Sequence, residues 1–295
     1  LPGQRLRPAP RPAAPFANPP GICGFLVGPH RRRYRPPRRS PSIARMPSSL
    51  PACPPASPQE RRLRRSALAL AGLSSVLAIG FLVLSRAVMV GRTEEIDRTV
   101  LLAMREPHDP TDPLGPPWFE ELCRDVTALG GTAVLTLLVL VAAAFFWLAG
   151  IRRAAVYITL AVTGALALNT ALKAAFDRPR PDLVPHGSEV YTASFPSGHS
   201  MLAATVYLTL GLVASRFVPR RRLRALILAV AVLTAAAVGA SRVYLGVHWP
   251  TDVLAGWAVG AAWALLCWCV AAWLQDRGVL EQDLAHPADD DLPAV

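Results

Sequence analysis

The chain carries six long apolar stretches that are separated by shorter polar segments, and they follow an N-terminal region with no apolar periodicity. A helix needs about 20 apolar residues to cross the hydrocarbon core of a bilayer, and the stretches are close to that length. We therefore predict an all-α fold, a bundle of six transmembrane helices. The predicted helices span residues 66–90, 127–149, 154–172, 200–218, 225–245 and 253–274.

Polar tails flank the predicted bundle. Residues 1–60 are rich in proline and arginine and residues 276–295 are acidic, so neither tail can bury a core and both are predicted to be disordered. The membrane domain is predicted to occupy residues 61–275. Because the sequence does not begin with Met, we interpret Met46 as the start of translation, with residues 1–45 lying outside the translated protein.

The formal net charge of +11 raises the alternative of a nucleic-acid-binding membrane protein. The distribution of that charge argues against it, because residues 1–65 carry 14 of the 31 basic residues and one of the 20 acidic ones. The apolar body of the chain is therefore close to neutral. We predict membrane lipids, and no nucleic acid, as its surroundings; the sequence does not indicate an oligomeric state.

Arginine-rich segments precede the first predicted helix and join the second to the third and the fourth to the fifth. Cytoplasmic loops carry an excess of Arg and Lys, so these segments and both termini are predicted to be cytoplasmic. Residues 91–126, 173–199 and 241–252 then face the outer side of the cell membrane. Within the first of these, residues 96–104 carry apolar side chains at helical spacing and predict a short helix in the membrane interface.

Polar side chains are concentrated in two of the outer segments, at the ends of predicted membrane helices, where ionisable groups are costly and indicate function. Lys173, Arg180 and Arg242 are cations that could together hold a phosphate and neutralise the charge that develops during its transfer. Ser197 and Gly198 precede a predicted helix, whose N-terminal N–H groups favour an anion. Lys173 is the one lysine in the chain, and a lysine is not interchangeable with the planar fork of an arginine.

Two histidines in the same segments can divide the nucleophilic and proton-transfer work. Neutral imidazole is a competent nucleophile near neutral pH. His248 and Asp252 are four residues apart and would share a face of a helix, so the carboxylate could orient the ring and stabilise the imidazolium. His199 is then free to protonate a leaving oxygen. Each short motif alone also fits a structural hydrogen bond, and only their combination indicates phosphoryl transfer.

The combined motifs resemble those of the type 2 phosphatidic acid phosphatase superfamily. The resemblance covers roughly residues 66–274, and the six-helix layout is similar to that of the membrane branch of this family. Arg178 and Arg180 both precede a proline, but only Arg180 has the required six-residue gap from Lys173. The matching motifs are Lys173-x6-Arg180-Pro181, Pro196-Ser197-Gly198-His199 and Ser241-Arg242-x5-His248-x3-Asp252.

The resemblance implies a hydrolase that removes phosphate from a lipid phosphate or pyrophosphate at the outer membrane face. His248 would form a phosphohistidine with the assistance of Asp252, and His199 would protonate the leaving group and then activate water. No metal ion or other cofactor is implied. The five cysteines form no Cys-x-x-Cys pair, so neither a disulfide framework nor a zinc site is expected. The phosphoryl oxygens would be held by Lys173, Arg180, Ser197, Gly198 and Arg242.

Two other functions remain open at this point. A lipid-phosphate binding or transport protein would use the same cations without turnover, although binding alone does not need two histidines and an aspartate. Soluble vanadium-dependent haloperoxidases have similar motifs, but the six predicted spans argue against a haloperoxidase-like vanadate enzyme. Undecaprenyl pyrophosphate, phosphatidic acid and phosphatidylglycerol phosphate all suit the predicted site, and the loops do not discriminate between them.

Overall fold

The computed structural model describes residues 58–181 and 193–276, without the side chains of residues 58–65 and 276. The predictions for the two tails and for a start at Met46 lie outside these residues, except that residues 58–60 belong to the first helix and Asp276 to the last. The described residues form the helices α1 (Pro58–Met89), α2 (Glu94–Leu102), α3 (Pro117–Ala128), α4 (Thr132–Leu148), α5 (Arg152–Phe176), α6 (Gly198–Arg216), α7 (Arg221–Tyr244) and α8 (Pro250–Asp276), and the strands β1 (Arg105–Glu106) and β2 (Asp109–Pro113).

Five of these helices are long and apolar enough to cross a membrane, namely α5 to α8 and the Ser66–Met89 part of α1. Helices α3 and α4 add a sixth span if the bent pair that they form is counted as one. The predicted all-α membrane bundle is therefore confirmed, with one span bent.

The bent span differs from the straight helix that the sequence predicts over residues 127–149. The axes of α3 and α4 are inclined by 47°, and the break falls at two consecutive glycines. Gly131 is extended and precedes the first residue of α4. Gly130 lies so close to α7 that an added Cβ would be 2.3 Å from Cγ1 of Val238. Glycines are a recognised cause of sharp kinks, and here they also permit a close helix contact.

Helix α6 lies at the centre of the bundle and packs against α8 through close backbone contacts. A Cβ added at Gly256 would lie 2.7 Å from the carbonyl oxygen of Ser197, and one at Gly260 would lie 2.3 Å from that of Met201. Two glycines four residues apart allow membrane helices to approach this closely. The contact brings the start of α6 beside the first turns of α8.

The connection between α1 and α4 contains α2, a β1–β2 hairpin and α3. Helix α2 matches the short helix predicted at residues 96–104, but Asp97 is fully buried on it whereas Ile96 is 62% exposed. The hairpin is an addition to the predicted all-α fold, because its strands lack the alternation of apolar and polar residues that indicates a sheet. Nη2 of Arg105 donates to the carbonyl oxygen of Tyr244 at 2.7 Å and thereby joins the hairpin to the end of α7.

Candidate active site

The residues selected from the sequence come together where α5 and α7 end and α6 and α8 begin. The charge of Lys173 interacts there with those of Arg180, Arg242 and Asp252. The structure thus brings the two outer segments into one cluster. Lys173 lies in the last turn of α5, Arg180 after it, Ser197, Gly198 and His199 at the start of α6, Arg242 in the last turn of α7, His248 before α8 and Asp252 in its first turn.

His248 is almost fully buried, and its Nδ1 lies 3.4 Å from Oδ2 of Asp252. The two side chains meet across the start of α8 and not along one face of the helix, because His248 precedes Pro250, the first residue of α8. The same Oδ2 accepts the backbone N–H of Trp249 at 3.0 Å. Backbone N–H groups at the start of a helix have no partner within the helix, and a carboxylate in the first turn can accept a hydrogen bond from one of them. Asp252 is therefore held by its own helix as well as by His248.

Arg180 fixes the tautomer of the His248 ring. Its Nη1 lies 3.2 Å from Nε2 of His248 and donates to the carbonyl oxygen of Val247 at 2.9 Å. A guanidinium can only donate, so Nε2 must accept and Nδ1 must carry the ring proton toward Asp252. The lone pair of Nε2 consequently faces the guanidinium of Arg180.

Among the described residues, several polar side chains at the site were not selected from the sequence. Ser194 donates to Oδ2 of Asp252, and Nη1 of Arg178 donates to Oδ1 of the same carboxylate at 2.6 Å. Nη2 of Arg178 in turn contacts Oδ2 of Asp97 on α2 at 2.7 Å. The available signal was the doubled Arg-Pro motif, which marks Arg178; Asp97 lies among other polar residues of α2 and had no such signal.

The N-terminus of α6 forms another side of the cluster. Ser197 is buried, and its backbone N–H donates to the carbonyl oxygen of Asp252 at 3.0 Å. A Cβ added at Gly198 would lie 3.7 Å from Cε of Lys173 and 3.5 Å from Oδ1 of Asn169. The first N–H groups of a helix have no partner within it, so they and the Lys173 ammonium can together bind an anion.

The break between α3 and α4 supplies a wall of the site that the sequence did not predict. A Cβ added at Gly130 would lie 3.4 Å from Cβ and Cδ2 of His199. Nη1 of Arg242 donates to Oγ1 of Thr127 at 3.2 Å. His199 is half-buried and interacts electrostatically with Arg242 and His248. The break between α3 and α4 thus lies beside a histidine that interacts with His248.

Burial of His248 affects its protonation. Desolvation lowers the pKa of this imidazole to about 4, although the hydrogen bond and the negative charge of Asp252 act in the opposite direction. Burial also lowers the pKa of Arg180, again opposed by the charge of Asp252. His248 is consequently neutral at pH 7, which is the state that a nitrogen nucleophile requires.

Comparison with known proteins identifies one family. A protein-family model described as the PAP2 superfamily matches residues 154–276, a range that contains every site residue selected from the sequence. Phosphatidylglycerophosphatase B of Bacillus subtilis (strain 168) is 33% identical over 189 residues, which cover 62% of this chain and 87% of that protein. Undecaprenyl-diphosphatase of Sulfolobus acidocaldarius is 38% identical over 68 residues, 23% of this chain and 29% of that protein.

A solved structure has the same fold. The crystal structure of a transmembrane PAP2 type phosphatidylglycerolphosphate phosphatase from Bacillus subtilis has a TM-score of 0.62 and 29% sequence identity to this chain. The match covers 68% of this chain and 96% of that one. The similarity therefore extends over nearly the whole length of the solved protein.

Proposed function

Because the chain belongs to the PAP2 superfamily, we propose that it is a membrane hydrolase that releases phosphate from a lipid phosphate or pyrophosphate through a phosphohistidine at His248. The resemblance seen in the three sequence motifs is confirmed by these comparisons. One observation carries the mechanism: Nε2 of His248 lies 3.2 Å from Arg180 while Nδ1 faces the buried carboxylate of Asp252. The ring is thus oriented for attack by Nε2.

In the first step, Nε2 of His248 attacks phosphorus and an N–P bond forms. The bond from phosphorus to the leaving oxygen breaks, and that oxygen keeps the electron pair and takes a proton from His199. Lys173, Arg180 and Arg242 offset the negative charge on the phosphoryl oxygens, and the same anion favours the protonated form of His199. Asp252 stabilises the positive charge that develops on the His248 ring.

In the second step, His199 is neutral and takes a proton from a water molecule. The water oxygen attacks phosphorus, the N–P bond breaks, and its electron pair returns to Nε2 of His248. Inorganic phosphate leaves, and both histidines regain their starting state. The three cations supply the positive charge throughout, so the proposed reaction needs no metal ion.

The outer face of a cell membrane is the proposed location of this site. Several arginines lie at the opposite ends of the spans, and the positive-inside rule predicts that these ends face the cytoplasm. They are Arg152, Arg153 and Arg220 to Arg222. A cysteine at the exposed hairpin residue Asp109, in a chain without its native cysteines, should react with a membrane-impermeant maleimide in intact cells. A cysteine at Arg221 should react only after the cells are opened; the reverse pattern would place the site in the cytoplasm.

The substrate class is proposed from the relatives, whose names specify phosphatidylglycerophosphate and undecaprenyl diphosphate. We expect the purified protein in detergent and EDTA to release phosphate from at least one of phosphatidylglycerol phosphate, phosphatidic acid and undecaprenyl pyrophosphate. His248→Ala should abolish release. His108→Ala, which alters an exposed histidine in the hairpin turn, is the matched control and should retain it.

A radiolabelled substrate tests the intermediate directly. Wild-type protein that is quenched in alkali during turnover should retain labelled phosphate on His248, and His248→Ala should retain none. Full phosphate release by His248→Ala would overturn the mechanism. Binding of these lipids without release by a folded wild-type protein would favour a binding or transport role.

A further inference from the structure

A chain of buried charges connects α2 to the carboxylate of Asp252. Asp97 and Asp252 are both fully buried, and the side chain of Arg178 between them is 10% exposed. Nη2 of Arg178 lies 2.7 Å from Oδ2 of Asp97, and Nη1 lies 2.6 Å from Oδ1 of Asp252. One guanidinium therefore joins two carboxylates that are far apart in sequence.

Further contacts hold Asp97 and Arg178 in place. Thr251 donates to Asp97 twice, with its backbone N–H to Oδ1 at 2.9 Å and with its hydroxyl to Oδ2 at 2.6 Å. Nη1 of Arg178 also donates to Oγ1 of Thr251 at 2.9 Å, and the guanidinium lies 5.6 Å from the centre of the Trp249 ring. Asp97 is thus hydrogen-bonded to the first turn of α8, which is the turn that carries Asp252.

The two oxygens of Asp252 have separate partners. Oδ1 is bound by Arg178, whereas Oδ2 accepts from Ser194 and Trp249 and faces Nδ1 of His248. If Oδ1 were released, the carboxylate could turn about its Cβ–Cγ bond out of the plane that places Oδ2 against Nδ1 of His248. Arg178 opposes that rotation, because a charge-assisted hydrogen bond is directional and strong.

We propose that Asp97 and Arg178 are positioning residues of the active site, which hold the carboxylate of Asp252 in the orientation that His248 requires. The inference rests on the proposed function, since it assigns a role relative to the nucleophile. Stability is a weak alternative reason for the arrangement, because the desolvation of buried charges offsets much of their attraction. The two arginines contact different groups. Arg178 contacts both buried carboxylates and the hydroxyl of Thr251, whereas Arg180 contacts Nε2 of His248.

The roles of the two arginines should separate in kinetics. Arg178→Gln should lower kcat by about 10- to 100-fold. This is the typical effect of losing a residue that orients a functional side chain by hydrogen bonding to it. The KM, and the inhibition constant for orthovanadate, should change little, because the cations that bind phosphate are retained. Arg178→Lys keeps the charge and one donor, and should recover part of the lost kcat.

Asp97 should act through Arg178. Asp97→Asn retains the shape of the side chain and should lower kcat less than Arg178→Gln does. The double variant should be no slower than Arg178→Gln alone, because Asp97 reaches the carboxylate of Asp252 through Arg178. Glu120→Gln is the matched control, since it removes the acidic partner of an exposed ion pair with Arg124 on α3 and should leave kcat unchanged.

The experiment is steady-state kinetics with orthovanadate inhibition on these variants in detergent, with thermal unfolding recorded for each. A fall in kcat at constant vanadate inhibition, with partial recovery in Arg178→Lys and no added loss in the double variant, supports the inference. Unchanged kcat in Asp97→Asn and Arg178→Gln overturns it, as does a loss that follows the unfolding temperature alone. His248→Ala is assayed beside these variants. If the proposed function is wrong, His248→Ala should remain active. If only the inference about Asp97 and Arg178 is wrong, His248→Ala should be inactive.

Discussion

Nη1 of Arg180 lies 3.2 Å from Nε2 of His248, and the same nitrogen donates to the backbone carbonyl of the preceding residue. The guanidinium therefore contacts the atom that is proposed to attack phosphorus. A phosphate bound at the cations must take over this donor as the attack begins. Arg180 would then pass from orienting the nucleophile to holding a phosphoryl oxygen.

Arg180→Lys tests this dual role. Lysine retains the charge but cannot reach two acceptors with a planar fork. We expect kcat/KM to fall by about 10- to 100-fold in Arg180→Lys, and by about 100- to 1000-fold in Arg180→Gln, which loses the charge that stabilises the transition state. Phosphate release from the lipid substrate is the measurement. Arg98→Gln, an exposed arginine on α2, is the control, and equal activity in all four proteins would contradict the assignment.

His199→Ala should affect substrates according to their leaving groups. A lipid alkoxide needs a proton as it departs, whereas p-nitrophenolate departs readily without one. Loss of a general acid costs about 100- to 10,000-fold, and we expect most of that loss with the lipid substrate and much less with p-nitrophenyl phosphate. The ratio of kcat values for the two substrates is the measurement. An equal loss with both would show that His199 is not the acid.

The pH dependence should report the burial of His248. Its pKa is lowered to about 4, so the ring stays neutral and nucleophilic at pH values at which an ordinary histidine would be protonated. The acidic limb of kcat/KM that belongs to His248 should therefore lie near pH 4, well below the ordinary histidine value of about 6.5. Activity falls as pH drops through that limb, because protonation removes the lone pair of Nε2.

Ionisation of the substrate would produce a second limb, because a phosphate monoester loses its second proton at a pH of about 6. The two limbs can be distinguished with an alkyl phosphate and p-nitrophenyl phosphate, whose second ionisations differ. The substrate limb moves between these compounds, whereas the His248 limb does not. A fixed limb near pH 6.5 with both compounds would show that His248 is not desolvated.

The α6–α8 contact predicts a steric effect at Gly260. An added side chain would meet the carbonyl oxygen of Met201, which is backbone and cannot move aside cheaply. Gly260→Ala should destabilise the protein by about 1–3 kcal/mol, the usual cost of overpacking, and should lower activity by shifting the start of α8 from that of α6. Gly80→Ala is the control, because no atom lies within 4 Å of its added Cβ. Unfolding midpoints in detergent should fall only in the Gly260 variant.

The motif residues could be selected from the sequence because their chemistry and spacing are local properties. Two residues that are linked to Asp252 in the structure, Asp97 and Ser194, could not. Asp97 lies on a short helix whose apolar pattern suggests that acidic side chains point to solvent, and only the tertiary contact with Arg178 and Thr251 explains its burial. Ser194 has no pattern around it that indicates a contact with α8.

Two geometrical details were also beyond the sequence. The break falls at Gly130 and Gly131, inside a run that is apolar enough for a straight span, and Gly130 there lies close to Val238 and His199. The proximity of His248 to Asp252 was predicted from helical spacing, but His248 lies before α8 begins. The sequence identified the right two residues, but the backbone between them is not the continuous helix that their spacing predicted.

Arg178 and Arg180 contact opposite ends of the His248–Asp252 pair, one at the carboxylate and the other at Nε2. The prolines that follow each arginine restrict the backbone, so the separation of the two guanidiniums is set by the number of residues between them. A one-residue insertion or deletion there would leave only one of the two arginines in place. The length of this short segment should therefore matter as much as the identity of its two arginines.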